Sequence, residues 1–253
     1  MSVKTEVITI SVFSDFRRFV LVNIVGHIRR AVQDYDMISE GDRIAVGVSG
    51  GKDSGALLFA LEKLSHFYPK KFTLTAIIID MGVGMDYSPL EEKIRSLGIE
   101  CIRKETDIAK LIFEVRKEPN PCALCAVMRR GALNKAAVEY GCNKVALGHH
   151  YDDVLETFWL NLIHGGRLGC FQPVTYLDRM DVTVIRPMIY VEEKNARAYC
   201  KSCEIPVIEN PCPANGVTQR QEMKDLMREM EKRYPGLRKR VFGAIQRSGL
   251  DEW

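Results

Sequence analysis

Residues 44–55 read Ile-Ala-Val-Gly-Val-Ser-Gly-Gly-Lys-Asp-Ser-Gly. The apolar half predicts a buried strand, and a helical pattern begins at Lys52, directly after the two glycines. The glycines permit a tight turn, so N–H groups at the start of the helix can bind phosphate oxygens, assisted by the flanking serine hydroxyls. The spacing differs from a Walker A loop, which has four residues between its first glycine and Gly-Lys-Ser/Thr. Residues 49–54 are therefore predicted to bind phosphate; the alternative is an ordinary turn rich in small residues.

Apolar runs of strand length alternate with helical patterns on both sides of this stretch. The predicted strands are residues 43–48, 72–80, 99–104, 144–147 and 182–185. The predicted helices between them are residues 52–67, 89–97, 122–140 and 151–164. The strands are rich in Ile and Val without clean alternation, as expected for strands that are buried on both faces. This order predicts an α/β fold with a five-stranded, mostly parallel sheet flanked by helices, and a ligand beyond the C-terminal ends of the strands.

Helical segments are predicted on either side of the α/β domain, which spans residues 41–188. An N-terminal helical segment, residues 1–40, contains an amphipathic helix at residues 15–35. The C-terminal helical appendage, residues 189–253, carries Cys212. Its predicted helices are residues 191–203, 218–233 and 237–247, and proline-rich breaks separate them.

The composition is that of a globular protein, with 46% hydrophobic and 27% charged residues among 253, which argues against disordered and collagen-like chains. No apolar run reaches the roughly 18 residues of a membrane span, and the first ten residues lack a secretory signal. We therefore expect a cytoplasmic protein with no membrane partner. There its eight cysteines would stay mostly reduced, as core residues, metal ligands or redox thiols. The net charge of +3 permits a nucleic-acid partner without establishing one.

Two cysteines open a predicted helix in the segment Pro121-Cys122-Ala123-Leu124-Cys125. Proline is common in the first turn of a helix, and residues three apart share one face, so both sulfurs can reach one metal centre. The helix dipole and the nearby Arg129 and Arg130 favour the thiolate form that binds metals. Cys212 lies between two prolines and is a third candidate ligand. Three thiolates are one short of a closed all-cysteine zinc site.

Cys200 and Cys203 form a second pair with the same spacing. They lie on one stripe of the predicted helix 191–203, where free cysteines commonly pack as small hydrophobic residues. We interpret them as core residues. The alternative is a four-cysteine zinc site shared with Cys122 and Cys125.

A second polar cluster, Gly148-His149-His150-Tyr151-Asp152-Asp153, ends a predicted strand and begins a helix. This position is at the ligand-binding edge of the sheet. Acidic residues at a helix N-terminus are also favoured by the helix dipole alone. Next to a phosphate site, these carboxylates are candidates for holding Mg²⁺, because hard cations prefer oxygen ligands.

These motifs resemble those of the PP-loop ATP pyrophosphatases. Over residues 44–246 the chain is similar to the tRNA 2-thiocytidine synthetases, which are PP-loop sulfur transferases that thiolate cytidine in the tRNA anticodon loop. The matching segments occur in one order: residues 49–54, residues 121–131, residues 147–157, Asn161 with Gly165-Gly166, Arg186-Pro187, Pro211-Cys212, and Gln219-Arg220 leading to Arg233-Tyr234-Pro235-Gly236.

The resemblance implies a 4Fe-4S cluster on Cys122, Cys125 and Cys212, with the fourth iron open to sulfide. It implies Mg²⁺ near Asp152 or Asp153, and catalytic roles for Lys52, Asp53, Cys122 and Cys212. The implied ATP-binding residues are Ser49, Gly50, Gly51, Lys52, Asp53, Ser54, Asp80, Gly148, His149, Asp152 and Asp153. In the implied reaction, ATP adenylates a pyrimidine carbonyl oxygen with loss of pyrophosphate, iron-bound sulfide attacks the activated carbon, and AMP departs.

The implied partners are a tRNA, whose backbone Arg129 and Arg130 are expected to contact, and a sulfur donor such as a cysteine desulfurase. The oligomeric state that we consider for the protein is a homodimer. One alternative is a PP-loop sulfur transferase or ligase that acts on another tRNA base or on a small carbonyl compound. Another is a zinc-stabilised nucleotide-binding or RNA-binding module without turnover.

Overall fold

The computed structural model describes residues 24–116, 121–209, 211 and 219–253. Its strands are β1 Asp42–Gly47, β2 Phe72–Asp80, β3 Glu100–Glu105, β4 Lys144–Ala146, β5 Val174–Leu177 and β6 Val182–Ile185. Its helices are α1 at residues 24–34, α2 Lys52–Ser65, α3 Ser88–Arg95, α4 Ile108–Lys110, α5 Pro121–Glu139, α6 Tyr151–Ile163, α7 Glu193–Ser202, α8 Gln219–Arg233 and α9 Leu237–Ser248. A π-helical turn, Leu111–Val115, continues α4, and a 3-10 helix, Leu250–Glu252, follows α9. Of the helices described, none has the length and apolarity that a membrane span requires.

The described strands form one sheet in the order β3-β2-β1-β4-β6-β5. β1 pairs in parallel with β2 and β4, the pairs β2–β3 and β4–β6 are also parallel, and β5 is antiparallel to β6. This confirms the predicted α/β fold with a mostly parallel sheet. Each of the five predicted strands is present, with its ends within one residue of the prediction.

The predicted number of five strands is corrected to six by β5 at the edge of the sheet. This strand has four residues, none of them fully buried. It therefore lacks the continuous apolar run that marks strands buried on both faces. Its antiparallel pairing with β6 requires only the short connection at residues 178–181, so no crossover helix marks it either.

The two faces of the sheet enter two separate hydrophobic cores. Ile44 and Val46 of β1 pack in the first core, which is covered by α1, α2, α3, α7 and α9. Ala45 packs in the second core, which is covered by α4 and α5. Since alternate residues of a strand point to opposite faces, α5 and α7 lie on opposite sides of the sheet.

The terminal helices complete the first core. Ile28 and Val32 of α1 are fully buried there, which agrees with the predicted amphipathic helix; residues 15–23 of that prediction lie outside the described residues. Tyr199 of α7 and Phe242 of α9 belong to the same core. The segments on either side of the predicted domain boundaries thus share one core, and the division into three parts remains a prediction.

The topology brings the two polar motifs together. From β1 the chain crosses to β2 on one side, and β4 pairs with β1 on the other side. Ligand sites in open α/β sheets lie at such a point, beyond the carboxyl ends of the strands. Residues 49–54 follow β1, and His149 and His150 follow β4.

Candidate active site

The phosphate loop, residues 49–54, links the end of β1 to the start of α2. Gly50 has φ = +82°, a left-handed backbone angle that favours glycine. The Ser49 N–H donates to Ser54 Oγ at 3.1 Å, and that hydroxyl donates to the Gly51 carbonyl oxygen at 3.0 Å. Gly51 is the N-cap of α2 and offers no side chain to the first N–H groups of the helix. These groups are therefore available to an anion.

The second motif packs directly against the phosphate loop. A Cβ atom at Gly148 would lie 3.1 Å from the backbone carbonyl carbon of Asp53 and 3.2 Å from the Ser54 nitrogen, so this close approach favours glycine. His150 caps α6 because its Nδ1 accepts from the Asp153 N–H, while its own N–H donates to Asp153 Oδ2 at 2.9 Å. His150 Nε2 lies 3.8 Å from Asp53 Oδ1. The two motifs thus form one continuous site.

A cavity of about 430 Å³ opens between the phosphate loop, the second motif and α5. The predicted site residues that line it are Ser49, Asp53, Ser54, Arg129, Arg130, Gly148 and His149. Its apolar wall includes Ile77, Ile79, Leu133 and Leu147. The charged side chains among its described lining residues are three arginines and one aspartate. The cavity therefore favours an anionic ligand.

Cys122 and Cys125 lie at the start of α5, the helix that forms one wall of this cavity. Cys122 is exposed and Cys125 is half-buried. The sulfur of Cys125 lies 3.5 Å from the sulfur of Met81, which directly follows β2. Ala126, the next residue of α5, lines the cavity. The structure therefore places both sulfurs on the helix that also carries the cavity arginines.

Cys212 lies outside the described residues, so its grouping with Cys122 and Cys125 remains a prediction. The chain that leads towards it is held on the phosphate loop, where the Ile208 N–H donates to the Gly50 carbonyl oxygen at 2.9 Å. Within the described ranges, no three His, Cys, Asp or Glu side chains are grouped so that they could hold a metal ion.

Asp80 and Asp152 are held by other partners and do not line the cavity. Asp80 is buried and accepts two hydrogen bonds from the Arg103 guanidinium. Asp152 accepts from the Glu193 N–H at 2.7 Å through one oxygen and from Arg238 through the other. Asp80 therefore links β2 to β3, and Asp152 links α6 to α7 and α9.

Lys52 connects the phosphate loop to α7. Its Nζ lies 2.8 Å from Asp53 Oδ2 and 3.0 Å from Glu193 Oε1. Burial would lower the pKa of Lys52, but the two carboxylates outweigh it and raise the pKa. Burial also opposes ionisation of Glu193, yet Lys52 and Lys224 lower its pKa to about 2. Lys52 thus positions Asp53, whose Oδ1 is buried without a hydrogen-bond partner among the described residues.

His149 is held in the cavity wall by an aromatic contact that sequence reasoning missed. Its ring centroid lies 4.9 Å from that of Phe171, and the Arg186 guanidinium carbon lies 5.2 Å from the same Phe171 ring. Burial, followed by the charges of Arg186 and Arg220, lowers the pKa of His149 to about 3. The imidazole is therefore neutral at physiological pH. The motif Arg186-Pro187 indicates Arg186, whereas no local signal indicates Phe171.

Arg220 also lines the cavity, although sequence reasoning assigns it no role beyond its place in a motif. Its Nη1 lies 3.2 Å from Asp153 Oδ1 and 3.5 Å from Glu156 Oε2. Glu156 is buried, and burial together with the charge of Asp153 raises its pKa to about 7 despite the opposing charges of Lys224 and Arg220. One sequence signal for this contact with Arg220 is the spacing of Asp153 and Glu156, because residues three apart place both carboxylates on one face of α6.

Cys200 and Cys203 lie on the other side of the sheet from Cys125. Cys200 is 3% exposed in the first core and Cys203 packs against that core, whereas Cys125 packs against the second core. Burial raises the pKa of Cys200 to about 11, so its thiol stays protonated. The sheet separates the two pairs, which contradicts a shared four-cysteine zinc site and supports core packing.

Cys200→Ser is therefore expected to leave the iron content of the protein unchanged. The substitution buries a hydroxyl in an apolar core, which is expected to cost about 1–3 kcal/mol of stability. Iron and acid-labile sulfide per chain after anaerobic purification check the first expectation, and thermal unfolding checks the second. Loss of iron from a variant with a native circular dichroism spectrum would contradict the core-packing interpretation.

The chain is similar to proteins of known function over most of its length. Residues 22–229 match the family model described as a PP-loop domain. The chain is 40% identical over 227 residues to the tRNA-cytidine(32) 2-sulfurtransferase of Citrifermentans bemidjiense, which covers 88% of this chain and 89% of that protein. It is 41% identical over 220 residues to the protein of the same name from Syntrophotalea carbinolica, with 85% of each chain covered.

A solved structure shares the fold. The U34-tRNA thiolase NcsA from Methanococcus maripaludis with its 4Fe-4S cluster superposes with a TM-score of 0.76 at 24% sequence identity. The match covers 91% of this chain and 79% of that chain. The arrangement of strands and helices described above is therefore found in a protein of known structure.

Proposed function

The chain belongs to the PP-loop family and, within it, to the family of the tRNA-cytidine(32) 2-sulfurtransferases, and from this we propose that it uses ATP to replace the 2-oxygen of cytidine 32 in tRNA with sulfur. The observation that carries the proposal is the cavity that the phosphate loop shares with the cysteine-bearing helix α5. Activation by the nucleotide and delivery of sulfur act on the same carbonyl group of the base, the first on its oxygen and the second on its carbon. The two sites must therefore adjoin.

The proposed reaction has two steps. In the first, the C2 carbonyl oxygen attacks the α-phosphorus of ATP, a bond from that oxygen to phosphorus forms, and pyrophosphate leaves. In the second, hydrosulfide attacks C2, the C–O bond breaks, and AMP leaves with the original oxygen while one proton is lost. No net oxidation or reduction occurs, and an external sulfide donor such as a cysteine desulfurase supplies the sulfur. Adenylation thus turns a poor leaving group into a good one.

Different residues of the cavity bind the phosphate chain of ATP, the backbone of the tRNA and the base. The N–H groups at the start of α2 and the hydroxyls of Ser49 and Ser54 bind the phosphate chain. Arg129 and Arg130 bind phosphates of the tRNA backbone at the cavity. The neutral ring of His149 and the neighbouring apolar wall accept a flat base, since RNA loops present unstacked bases to such surfaces.

Cys122 and Cys125 fit as ligands of a 4Fe-4S cluster. They are three residues apart at the start of one helix, and Cys122 is exposed; such clusters are held by thiolates. Cys212 is the proposed third ligand. The Methanococcus maripaludis thiolase of the same fold holds a cluster of this type. When bound, such a cluster would supply an iron to which sulfide can bind.

Asp53 is the candidate Mg²⁺ ligand in the cavity, because it supplies the single carboxylate among the described lining residues. The Asp53 Oδ1 atom is buried without a hydrogen-bond partner among the described residues, and a hard cation prefers such an oxygen. Asp152 and Asp153 already accept hydrogen bonds from Arg238 and Arg220. The geometry therefore supports Asp53 ahead of Asp152 or Asp153 as the Mg²⁺ ligand.

Anaerobically purified protein, supplied with ATP, Mg²⁺, sulfide and a tRNA transcript, tests this function. We expect 2-thiocytidine in the digested tRNA by mass spectrometry, together with pyrophosphate release that requires RNA. A transcript with uridine in place of cytidine 32 is the matched control and is expected to gain no sulfur. Pyrophosphate release with a small carbonyl compound in the absence of RNA would favour a small-molecule ligase, and thiolation of uridine would assign a different base.

A further inference from the structure

We propose that Arg220 is a ligand for the phosphate chain of the nucleotide that the phosphate loop binds, an inference that rests on the ATP use proposed above. Arg220 is the second residue of α8, in the C-terminal part of the chain. The other described residues that line the cavity all lie between positions 47 and 149. Arg220 therefore brings a distant helix to the site where the phosphates would lie.

The position of Arg220 is set by two carboxylates of α6. Its Nη1 lies 3.2 Å from Asp153 Oδ1 and 3.5 Å from Glu156 Oε2. Asp153 is itself fixed by its bond from the His150 N–H at 2.9 Å. A guanidinium has five N–H donors in a rigid fork, more than these two contacts use. Arg220 can thus stay anchored to α6 while other donors face a ligand in the cavity.

The charge of the cavity indicates what that ligand is. Among the described residues that line the cavity, the charged side chains are Arg129, Arg130, Arg220 and a single carboxylate, Asp53, so positive charge exceeds negative charge. Ser49 and Ser54 line the same cavity at the N-terminus of α2. The N-terminus of a helix is a binding site for phosphate. A nucleotide phosphate held there lies in the cavity that Arg220 lines. The tRNA backbone is the other source of phosphate, and the experiment separates the two.

The position of Arg220 in the chain gives the contact a consequence. Arg220 lies eight positions after Cys212, and on the other side of Cys212 the Ile208 N–H donates a hydrogen bond to the carbonyl oxygen of Gly50 in the phosphate loop. Described residues on both sides of Cys212, Ile208 before it and Arg220 after it, thus contact the site where the nucleotide is proposed to bind. A phosphate ligand that engages Arg220 therefore holds the start of α8 against the cavity.

Calorimetric titration of the anaerobically purified holoprotein with α,β-methylene-ATP tests the proposal. Arg220→Gln is expected to weaken binding of this analogue by about 10-fold to 100-fold, the usual effect of losing a hydrogen bond from a charged group. Arg220→Lys, which retains the charge but not the fork, is expected to weaken it less. Binding of adenosine, measured by the same method, is expected to be unchanged because adenosine has no phosphate.

Arg228→Gln is the matched control. Arg228 lies on the same helix, its side chain is 68% exposed, and it pairs with Asp225 of its own helix. We expect this variant to bind both ligands as the wild type does. If Arg220→Gln is insoluble, the loss of analogue affinity in Arg220→Lys with unchanged adenosine binding decides the question.

Three outcomes would overturn the proposal. Wild-type affinity of the Arg220 variants for the analogue would remove Arg220 from the phosphate site. An equal loss of adenosine affinity would indicate a purely structural role. Weakened tRNA binding with unchanged analogue binding would assign Arg220 to the RNA backbone. A wild-type protein that binds the analogue but does not thiolate tRNA would contradict the proposed function and leave this inference standing.

Discussion

Asp53→Ala is expected to lower ATP-dependent thiolation by more than about 100-fold while the iron content stays at the wild-type level, and Lys52→Ala is expected to do the same. Asp53 lines the cavity, and Lys52 holds its carboxylate at 2.8 Å. The candidate cluster ligands Cys122 and Cys125 lie on α5, a separate element. Loss of nucleotide chemistry therefore leaves the metal site intact. The initial rate of 2-thiocytidine formation and the iron content, measured on one preparation, check both expectations.

Lys63→Ala is the matched control for the lysine variant. Lys63 lies on the same helix, its side chain is 54% exposed, and its partner is the adjacent Glu62 at 3.4 Å. We expect the wild-type rate from this variant. Full thiolation by Asp53→Ala would remove the loop from the reaction, and loss of iron from Asp53→Ala would show that the two sites are not separate.

Replacing Cys122, Cys125 or Cys212 with alanine is expected to reduce iron and acid-labile sulfide to background and to abolish thiolation. A cluster held by three cysteines loses a third of its protein ligands in each variant. Binding of α,β-methylene-ATP is expected to persist, because the phosphate loop belongs to β1 and α2. Metal analysis after anaerobic purification and calorimetry with the analogue check the two expectations.

Cys101→Ala is the matched control for these cysteine variants. Cys101 is half-buried beside the first core, and burial raises the pKa of its thiol to about 11. We expect it to keep wild-type iron. Stoichiometric zinc that depends on Cys200 and Cys203 would contradict the cluster and favour the zinc-stabilised module. Iron retained by Cys125→Ala would exclude Cys125 as a cluster ligand.

The parallel strands could be predicted because burial on both faces leaves uninterrupted apolar runs, as in the second half of β2. The β5 edge strand could not be predicted, since none of its residues is fully buried and only its pairing with β6 makes it a strand. Most helix boundaries were predictable for a local reason. Proline at the first position of α5 and glycine at the N-cap of α9 mark the starts of those helices in the sequence.

The candidate site was predictable where motifs are contiguous. The phosphate loop and the Gly148-His149-His150 stretch meet because each follows a strand of one sheet, and those strands are neighbours. The role of Asp152 could not be predicted, because Arg238, its partner, lies 86 residues away on another helix. The contact between His149 and Phe171 likewise depends on how a distant segment packs.

The amino-acid sequence by itself determined that residues 49–54 turn from a strand into a helix and that Cys122 and Cys125 share one helical face, because residues adjacent in the chain are related by fixed backbone geometry. Only the tertiary structure decided that Arg220 lines the cavity and that Cys200 lies across the sheet from Cys125. Those placements depend on which helix packs on which face of the sheet, and that choice is made by the burial of apolar surface over the whole chain.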